Sequence, residues 1–246
     1  MADWNDTRQQ TGFASVPRAG DAVARRATYD TGLRAHMLKI YNYMCSGVLL
    51  TGIVSLLTAS TGLVYSLMQG PLMWLVILSP LAIVFAMSFG ANRFRTTTLQ
   101  AMFWGFATLM GLSMSTVFVV YTGESIAATF FATAGAFAGL SLYGYTTKKD
   151  LSGLGTFLIM GVVGLLIAMI INIFLKSSAL GVAISFIGVL IFAGLTAYDT
   201  QRLKEQYAML RGSDFAGKAV VLGALTLYLD FINMFQFLLS FMGQRN

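Results

Sequence analysis

The chain has 246 residues, of which 57% are hydrophobic and only 11% are charged, and its net charge is +6. An ordinary soluble domain carries about 25% charged residues, so this composition predicts an integral membrane protein. The chain contains one cysteine and one histidine, a number that excludes an internal disulfide and a zinc site built from these residue types.

The first segment of the chain is polar and differs sharply from the rest. We predict that residues 1–30 form a polar, disordered cytoplasmic tail and that residues 31–246 form a single transmembrane domain. The tail lacks the short basic region, apolar core and cleavage site of a secretory signal, so we do not expect it to be removed.

Seven apolar runs follow the tail, each close to the roughly 20 residues that a spanning helix requires. Gly, Gln and Pro interrupt the first long run at residues 60–71 and predict a connection there. The predicted spans are 38–60, 71–92, 98–121, 126–146, 153–175, 179–201 and 219–241.

The basic residues test this assignment. If the N-terminus lies inside, 14 of the 16 Lys and Arg residues fall in inner segments, and only Lys176 and Arg245 fall outside. This alternation follows the positive-inside rule at every connection. We therefore predict an all-α membrane protein with seven transmembrane helices and a cytoplasmic N-terminus. A re-entrant last segment is an open alternative, because Arg245 is the only charge that marks its end.

Glycines occur within several of the predicted spans. Gly135 and Gly139 are four residues apart and thus share one face of the fourth span. Small residues at this spacing allow helix backbones to approach closely in lipid, so we expect this pair to pack against another helix.

Two of the ten acidic residues lie within the predicted spans or at their ends. Asp230 lies 12 residues after Lys218, which corresponds to about 18 Å along a helix. An ionised carboxylate facing lipid at that depth would cost about 2.5 kcal/mol or more. Asp230 should therefore face the interior of the bundle. Asp199 lies at the inner end of the sixth span.

Polar neighbours accompany both carboxylates at helical spacing. Thr226 and Asn233 share a helix face with Asp230, and Thr196 shares one with Asp199. The two spans are joined by an inner loop, predicted at 202–218, and we expect them to pack as antiparallel neighbours.

If the two carboxyl groups meet, they share a proton and titrate as a pair. The protonated pair would hold the helices together, whereas the deprotonated pair would repel itself or bind a cation. Calcium takes six to eight oxygen ligands, so Asp199 and Asp230 would form only a weak, transient calcium site. The structural alternative is that Asp199 ends a helix near Arg202 and that Asp230 hydrogen-bonds a neighbouring helix.

Arg93 lies at the inner end of the second span, within "SFGANRFR". Its position fits two interpretations. The simpler one is a positive-inside anchor at the membrane surface. The other is a counter-ion that reaches one of the carboxylates and holds the inner end closed.

Three long segments carry a family resemblance. They are "YGYTTKKDLSGLG" (143–155), "IFAGLTAYDTQRLK" (191–204) and "LGALTLYLDFINMFQFLL" (222–239). These segments resemble the bacterial, YbhL-like branch of the transmembrane Bax inhibitor motif family, also called the Bax inhibitor-1 or YccA-like family. The resemblance runs from about residue 33 to the end of the chain.

The resemblance implies a seven-helix fold in the bacterial inner membrane, with the last helix surrounded by the others. It also implies a calcium leak controlled by pH through two aspartates, which match Asp199 and Asp230. An arginine near the inner end of the second helix is associated with the closed state, and Arg93 is its match. The chain departs from the shortest members of the family in its longer predicted inner loop.

Three functions are consistent with these features. The first is a pH-sensitive cation leak, with calcium the expected ion. The second is a regulatory membrane protein that binds a membrane-bound quality-control protease through its tail and basic inner face. The third is a proton-coupled cation exchanger that uses the same carboxylates.

We expect no enzymatic activity, because the sequence shows no nucleophile–base pair, metal cluster or phosphate loop. We expect no cofactor apart from transiently bound calcium. The basic charge spreads along the inner face, a distribution that favours contact with anionic lipid over nucleic acid.

Overall fold

The computed structural model describes the backbone of residues 19–67, 69–213 and 215–246, and the side chains of these residues from residue 31 onward. Helices account for most of this part of the chain. They are α1 (Ala19–Ser60), α2 (Leu63–Leu67), α3 (Leu72–Gly90), α4 (Thr96–Met114), α5 (Val117–Val120), α6 (Gly123–Thr146), α7 (Ser152–Leu175), α8 (Ser178–Leu210) and α9 (Ala216–Met242).

Seven helical segments among the described residues are long and apolar enough to cross a membrane, with α4 and α5 forming one of them. They are Thr31–Ser60, Leu72–Gly90, Thr96–Val120, Gly123–Thr146, Ser152–Leu175, Ser178–Leu210 and Ala216–Met242. The predicted all-α fold with seven spans is therefore confirmed.

The N-terminal part of α1 extends into the predicted tail, because the helix begins at Ala19. Residues 1–18 lie outside the described part of the chain, and disorder of the tail stays a prediction. The chain divides into two units between Ala35 and His36, and the second unit, His36–Asn246, is compact.

The basic side chains of this unit gather at one end of the helices, which we call the basic end. Here lie the connections 91–95, 147–151 and 211–215. The basic residues at or near these connections are Arg93, Arg95, Lys148, Lys149, Arg202, Lys204, Arg211 and Lys218. We call the other end, with connections 121–122 and 176–177, the opposite end. Its low basic content agrees with the predicted charge pattern.

Helix α9 is the central helix of the unit. In its apolar window 67% of the residues are buried, against 39% or less in each of the other spans. It packs against α8, α6 and α4, and Tyr228 joins it to α1 through a 2.6 Å hydrogen bond with Thr51. By contrast, α3 packs mainly on α4 and α7 on α8. The expectation that the last helix is surrounded by the others is confirmed.

Aromatic side chains fill the space around the middle of α9. The ring of Tyr228 meets Phe103 edge to face at 6.2 Å and Phe106 at 5.1 Å, measured between ring centroids. All three side chains are almost completely buried. Such offset aromatic pairs add about 0.5–1.5 kcal/mol each to the burial of their surfaces.

The glycines pack differently from the prediction. A Cβ atom at Gly135 or Gly139 would meet no neighbour within 4 Å, so the expectation that this pair packs against another helix is wrong. The close approach occurs instead at Gly144, where an added Cβ would collide with the backbone carbonyl of Ala197. Spacing alone does not distinguish a lipid-facing pair from a packed glycine.

The C-terminal segment lies at the opposite end. Helix α9 is continuous for 27 residues, and the residues after it pair with the α5–α6 connection. The amide of Thr122 donates to the carbonyl of Gln244 at 3.1 Å, and the amide of Asn246 donates to that of Val120 at 3.0 Å. This geometry argues against the re-entrant alternative, because α9 crosses from one end to the other.

The long inner loop predicted at 202–218 is also wrong. Helix α8 continues to Leu210, and only residues 211–215 separate it from α9. The apolar run ends at polar residues such as Arg202, Lys204 and Glu205, but the helix continues through them. The end of the apolar run therefore does not mark the end of the helix.

Candidate functional site

The site lies between α8 and α9, which run antiparallel and share an extensive helix–helix interface. Asp199 of α8 and Asp230 of α9 face each other across this interface, and their side chains lie within hydrogen-bonding reach. Asp199 is 8% exposed and Asp230 is 4% exposed. The structure therefore brings together the two carboxylates that the sequence singled out.

The surroundings of the two carboxyl groups are unequal. Arg202, one turn further along α8, is the basic group that acts on Asp199. The charge that acts on Asp230 is that of Asp199 itself. The buried Oδ2 of Asp230 receives no hydrogen bond from an N–H or hydroxyl group of the described residues. A proton shared with the partner carboxyl is the simplest way to satisfy such a pair.

The three supporting polar residues are bonded to their own helices. Thr196 donates to the carbonyl of Phe192 at 2.8 Å, and Thr226 donates to that of Leu222 at 3.2 Å. The Nδ2 of Asn233 donates to the carbonyl of Leu229 at 2.8 Å. These bonds satisfy the side chains locally, a common arrangement for hydroxyl groups in helices. They leave oxygen lone pairs available along the α8–α9 interface.

Arg93 lies in the α3–α4 connection and is exposed. Its amide donates to the carbonyl of Gly90 at 2.9 Å. Within the described residues it makes no ion pair with Asp199 or Asp230, the two groups for which it was considered. A role of Arg93 as counter-ion therefore stays a prediction, and the basic group that acts on Asp199 is Arg202, near which the sequence had placed it.

A cavity of about 530 Å³ reaches the carboxyl pair from the basic end. Asp199 and Thr226 line its deeper part, and Arg202 and Gln206 line the part nearer the basic end. Ser88 of α3 forms part of its wall. We call this space the basic-end cavity. It places one carboxylate in contact with a volume large enough for several water molecules.

Two further polar contacts fix α8 at the level of the pair, and sequence reasoning missed both. Gln201 accepts from the amide of Leu151 at 2.8 Å and donates to the carbonyl of Lys149 at 2.8 Å. Thr200 shares a 2.9 Å hydrogen bond with Ser141 of α6. Both residues directly follow Asp199 in "AYDTQ", so a run of polar residues within an apolar helix was the available signal.

The donor set fits a proton or a weakly held cation. Among the described residues no group of three or more His, Cys, Asp or Glu side chains is placed to hold a metal ion. Two carboxylates provide at most a few of the six to eight oxygens that calcium prefers. A cation at this position would keep most of its water, and binding of that kind suits passage better than storage.

Comparison with known proteins places these residues in a family context. A family model described as "Inhibitor of apoptosis-promoting Bax1" matches residues 33–246. A Caulobacter vibrioides protein described only as uncharacterized is 50% identical over 87% of this chain and 90% of its own length. The uncharacterized protein RP147 of Rickettsia prowazekii is 44% identical over 91% of this chain and 95% of its own. The inner membrane protein YbhL of Escherichia coli is 42% identical over 93% of this chain and 98% of its own.

Proposed function

The chain belongs to the Bax inhibitor-1 family, and from its carboxyl pair we propose that it is a pH-sensitive cation leak channel gated by Asp199 and Asp230. Calcium is the proposed ion. We propose further that the protein lies in the inner membrane of a bacterium, as the name of its Escherichia coli relative states for that protein, with the basic end facing the cytoplasm. The function is transport and involves no enzymatic step.

One observation carries the proposal, namely the buried contact between two carboxyl groups on neighbouring antiparallel helices. Ionisable groups inside a membrane protein are costly and commonly mark ion or proton pathways. A purely structural pair of helices would be held as well by hydroxyl or amide groups, which carry no charging cost.

The closed state follows from the protonated pair. With one proton shared between them, Asp199 and Asp230 form a hydrogen bond across the α8–α9 interface. The interface then stays tightly packed. Acidic conditions favour this state, because they supply the shared proton.

The open state follows from loss of that proton. Two unit charges about 4 Å apart repel by about 4 kcal/mol at an effective dielectric constant of 20. This repulsion is relieved when the helices separate or when a cation enters between the carboxylates. The basic-end cavity is lined by Asp199, which supports a route that begins at the basic end.

Helix α3 is the element best placed to move. It contributes Val84 and Ser88 to the wall of the basic-end cavity. Only 17% of the residues in its apolar window are buried. It contains Pro80 within the helix, and proline removes one backbone hydrogen bond and favours bending there. A shift of α3 would widen access to Asp199 without disturbing the central helix.

The test is calcium flux into liposomes that contain the full chain and a calcium-sensitive dye. We expect flux to increase as the pH rises between about 6 and 8, as the shared proton leaves the pair. Asp199→Asn and Asp230→Asn should each remove this dependence, because an amide keeps the shape of the side chain but does not ionise. Equal flux with and without an opposing proton gradient would distinguish a leak from an exchanger.

Glu124→Gln is the matched control, since Glu124 is a carboxylate in the first turn of α6 at the opposite end. It should retain the pH dependence of the unmodified protein. An unchanged pH profile in both aspartate variants would refute the proposed gate.

A further inference from the structure

A groove of about 300 Å³ lies between α1 and α6, in the half of the bundle nearer the opposite end. We call it the α1–α6 groove. Its walls span residues 48–55 of α1 and 123–131 of α6, so it extends about 10–12 Å along the helix axes. Its floor is the central helix, which contributes Phe231, Ile232 and Phe235. These three side chains are buried within the bundle.

The groove is open on the side that faces lipid. Phe131 is 73% exposed and Gly52 is also exposed, and both line the groove. Both residues belong to spans, so the surface around the opening is surface that meets the bilayer. The groove is therefore continuous with the lipid-facing surface of the protein.

The water-facing end of the groove is held in place. This end is formed by α5 and the first turn of α6, and the connection between them pairs with the C-terminal segment. The amide of Gln244 donates to the Oγ of Ser125 at 2.8 Å. The guanidinium of Arg245 lies over the ring of Tyr121, 5.9 Å from its centroid. An occupant of the groove therefore enters sideways, from lipid.

The lining of the groove complements an uncharged, apolar molecule. In the described chain its polar members are Thr51 and Ser55, the other lining residues are apolar side chains or glycine, and none is charged. The hydroxyl of Thr51 is already engaged, because it donates to the carbonyl of Ala107 at 2.8 Å and bonds to Tyr228. This leaves Ser55 as the polar group that distinguishes the groove from bare lipid-facing surface.

The hydroxyl of Ser55 differs from the other hydroxyls of α1. Ser46 and Thr58 donate to the carbonyls four residues earlier, at Asn42 and Val54, each at 2.7 Å. The Oγ of Ser55 is buried and has no hydrogen-bond partner among the described residues. A hydroxyl left unpaired in an apolar medium costs several kcal/mol. An acceptor supplied by a molecule in the groove removes this cost.

The depth of Ser55 indicates which acceptor this is. Ser55 lies five residues before Ser60, where α1 ends, which places it about 7.5 Å from the end of the helix. The polar region on each side of a bilayer is about 5–7 Å thick. Ser55 therefore lies close to the level at which ester groups join the acyl chains of a phospholipid to its glycerol. From there the groove runs towards the middle of the bilayer, as an acyl chain does.

We propose that the α1–α6 groove binds one acyl chain of a diacyl phospholipid, and that Ser55 donates a hydrogen bond to the ester carbonyl of that chain. The bound chain packs on Phe231 and Ile232, the two residues that follow Asp230 on α9. It thereby completes the packing of the central helix on the side away from α8. The proposal concerns lipid binding and stands whether or not the protein conducts ions.

The first test is photochemical labelling of the full chain in liposomes. The probe is a diacyl phospholipid that carries a diazirine midway along one acyl chain, and mass spectrometry of peptides locates the adducts. Lipid that only covers the protein surface reaches exposed residues such as Ile170 of α7, which is 57% exposed. Ile232 is 3% exposed and is reached only by a chain inside the groove. We therefore expect adducts at residues 231–235 as well as on α7.

A variant that fills the groove should remove the adducts on α9. A Cβ added at Gly52 meets no neighbour within 4 Å, so the side chain of Gly52→Leu extends into the open space. Gly105→Leu is the matched control, because a Cβ at Gly105 is equally unobstructed and Gly105 does not line the groove. The control should keep the adducts on α9, and neither variant should change those on α7. If Gly52→Leu does not fold, Ala127→Leu fills the groove from α6.

A second measurement isolates the hydrogen bond of Ser55. Native mass spectrometry compares retention of a diester phosphatidylglycerol with that of its diether analogue, which lacks the carbonyl. We expect the unmodified protein to retain the diester about threefold better, as one hydrogen bond predicts. Ser55→Ala should abolish this preference, whereas Ser46→Ala should keep it.

Two results would overturn the proposal. Absence of adducts at residues 231–235 of the unmodified protein would assign the groove to water or to a segment of another protein. Adducts there that persist in both Gly52→Leu and Ala127→Leu would show that the probe reaches α9 by another route. Equal retention of the two phosphatidylglycerols by the unmodified protein would refute the contact at Ser55.

Discussion

Helices α7 and α9 are opposites in composition and in position. Helix α7 is the most apolar span of the described chain, yet only 11% of the residues in its apolar window are buried. Helix α9 is among the less apolar spans, and 67% of its window is buried. In a soluble protein the most apolar segment would lie in the core. Here hydrophobicity marks the surface that faces lipid, and polar groups mark the interior.

The physical reason is that lipid is as apolar as a leucine side chain. Burying an apolar side chain between helices therefore gains little by transfer alone, and close packing and hydrogen bonds decide which helix becomes central. Helix α9 carries Tyr228, which is hydrogen-bonded to Thr51 of α1, and Asp230, which faces Asp199 of α8. Helix α7 has few comparable groups and forms the outer wall of α8.

The largest expected effect on the free energy of unfolding concerns two glycines of α6. Gly144 packs against another helix, whereas Gly139 does not. Gly144→Ala should destabilise the protein by about 3 kcal/mol, because the added methyl group collides with the backbone of α8 at Ala197. Gly139→Ala on the same helix should be neutral or stabilise by up to about 1 kcal/mol through helix propensity. The measurement is the free energy of unfolding in mixed detergent. Equal effects at the two sites would refute the inside–outside distinction.

The next effect concerns the buried amide that ties α8 to the α6–α7 connection. Gln201→Leu should cost about 1–3 kcal/mol, because it leaves the amide of Leu151 and the carbonyl of Lys149 without their partner. Gln206→Leu on the same helix is the control and should change stability by less than about 0.5 kcal/mol. Thermal unfolding in detergent measures both. A similar loss of stability in the two variants would contradict this role of Gln201. It would show that replacing any glutamine of α8 by leucine is destabilising.

A smaller effect is expected at the hydrogen bond between α1 and α9. Tyr228→Phe removes the partner of Thr51, and hydrogen bonds between membrane helices are worth about 0.6 kcal/mol on average and up to about 1.7. Tyr65→Phe, at an exposed tyrosine of α2, should have no measurable effect. A double variant with Thr51→Val would give the coupling energy, and a value of zero would show that this bond does not fix α9.

The smallest effect lies outside the spans, at the basic end. Asp150 accepts a 2.8 Å hydrogen bond from the amide of Ser152, and this bond lowers the pKa of Asp150 below its ordinary value of 3.8. Its contribution to stability is therefore present at neutral pH and is lost as the pH falls below about 4. Asp150→Asn should reduce the difference in melting temperature between pH 7 and pH 3. An unchanged difference would contradict this role.

Much of the fold could be predicted because the bilayer sets the length of each spanning helix. The distribution of basic residues then indicates which end of each span faces which side. The seven spans followed from these constraints, and so did the expectation that Asp199 and Asp230 lie on neighbouring antiparallel helices, whereas the sequence left open whether their carboxyl groups meet. The length of α8 did not, because the apolar run ends before the helix ends. Nor could the packing of Gly144 or the stacking of Phe192 on Phe237 be read from spacing, since each depends on how two helices rotate against one another.

The central position of α9 has a consequence for biosynthesis. The ribosome delivers α9 after the six other spans, yet α1, α4, α6 and α8 all pack around it. The earlier spans must therefore wait in the membrane with a vacancy at their centre, and Asp199 has no acidic partner until the final span enters. Insertion of α9 both closes the assembly and creates the acid pair, so a chain truncated before Ala216 should be recognised and degraded as an incomplete membrane protein.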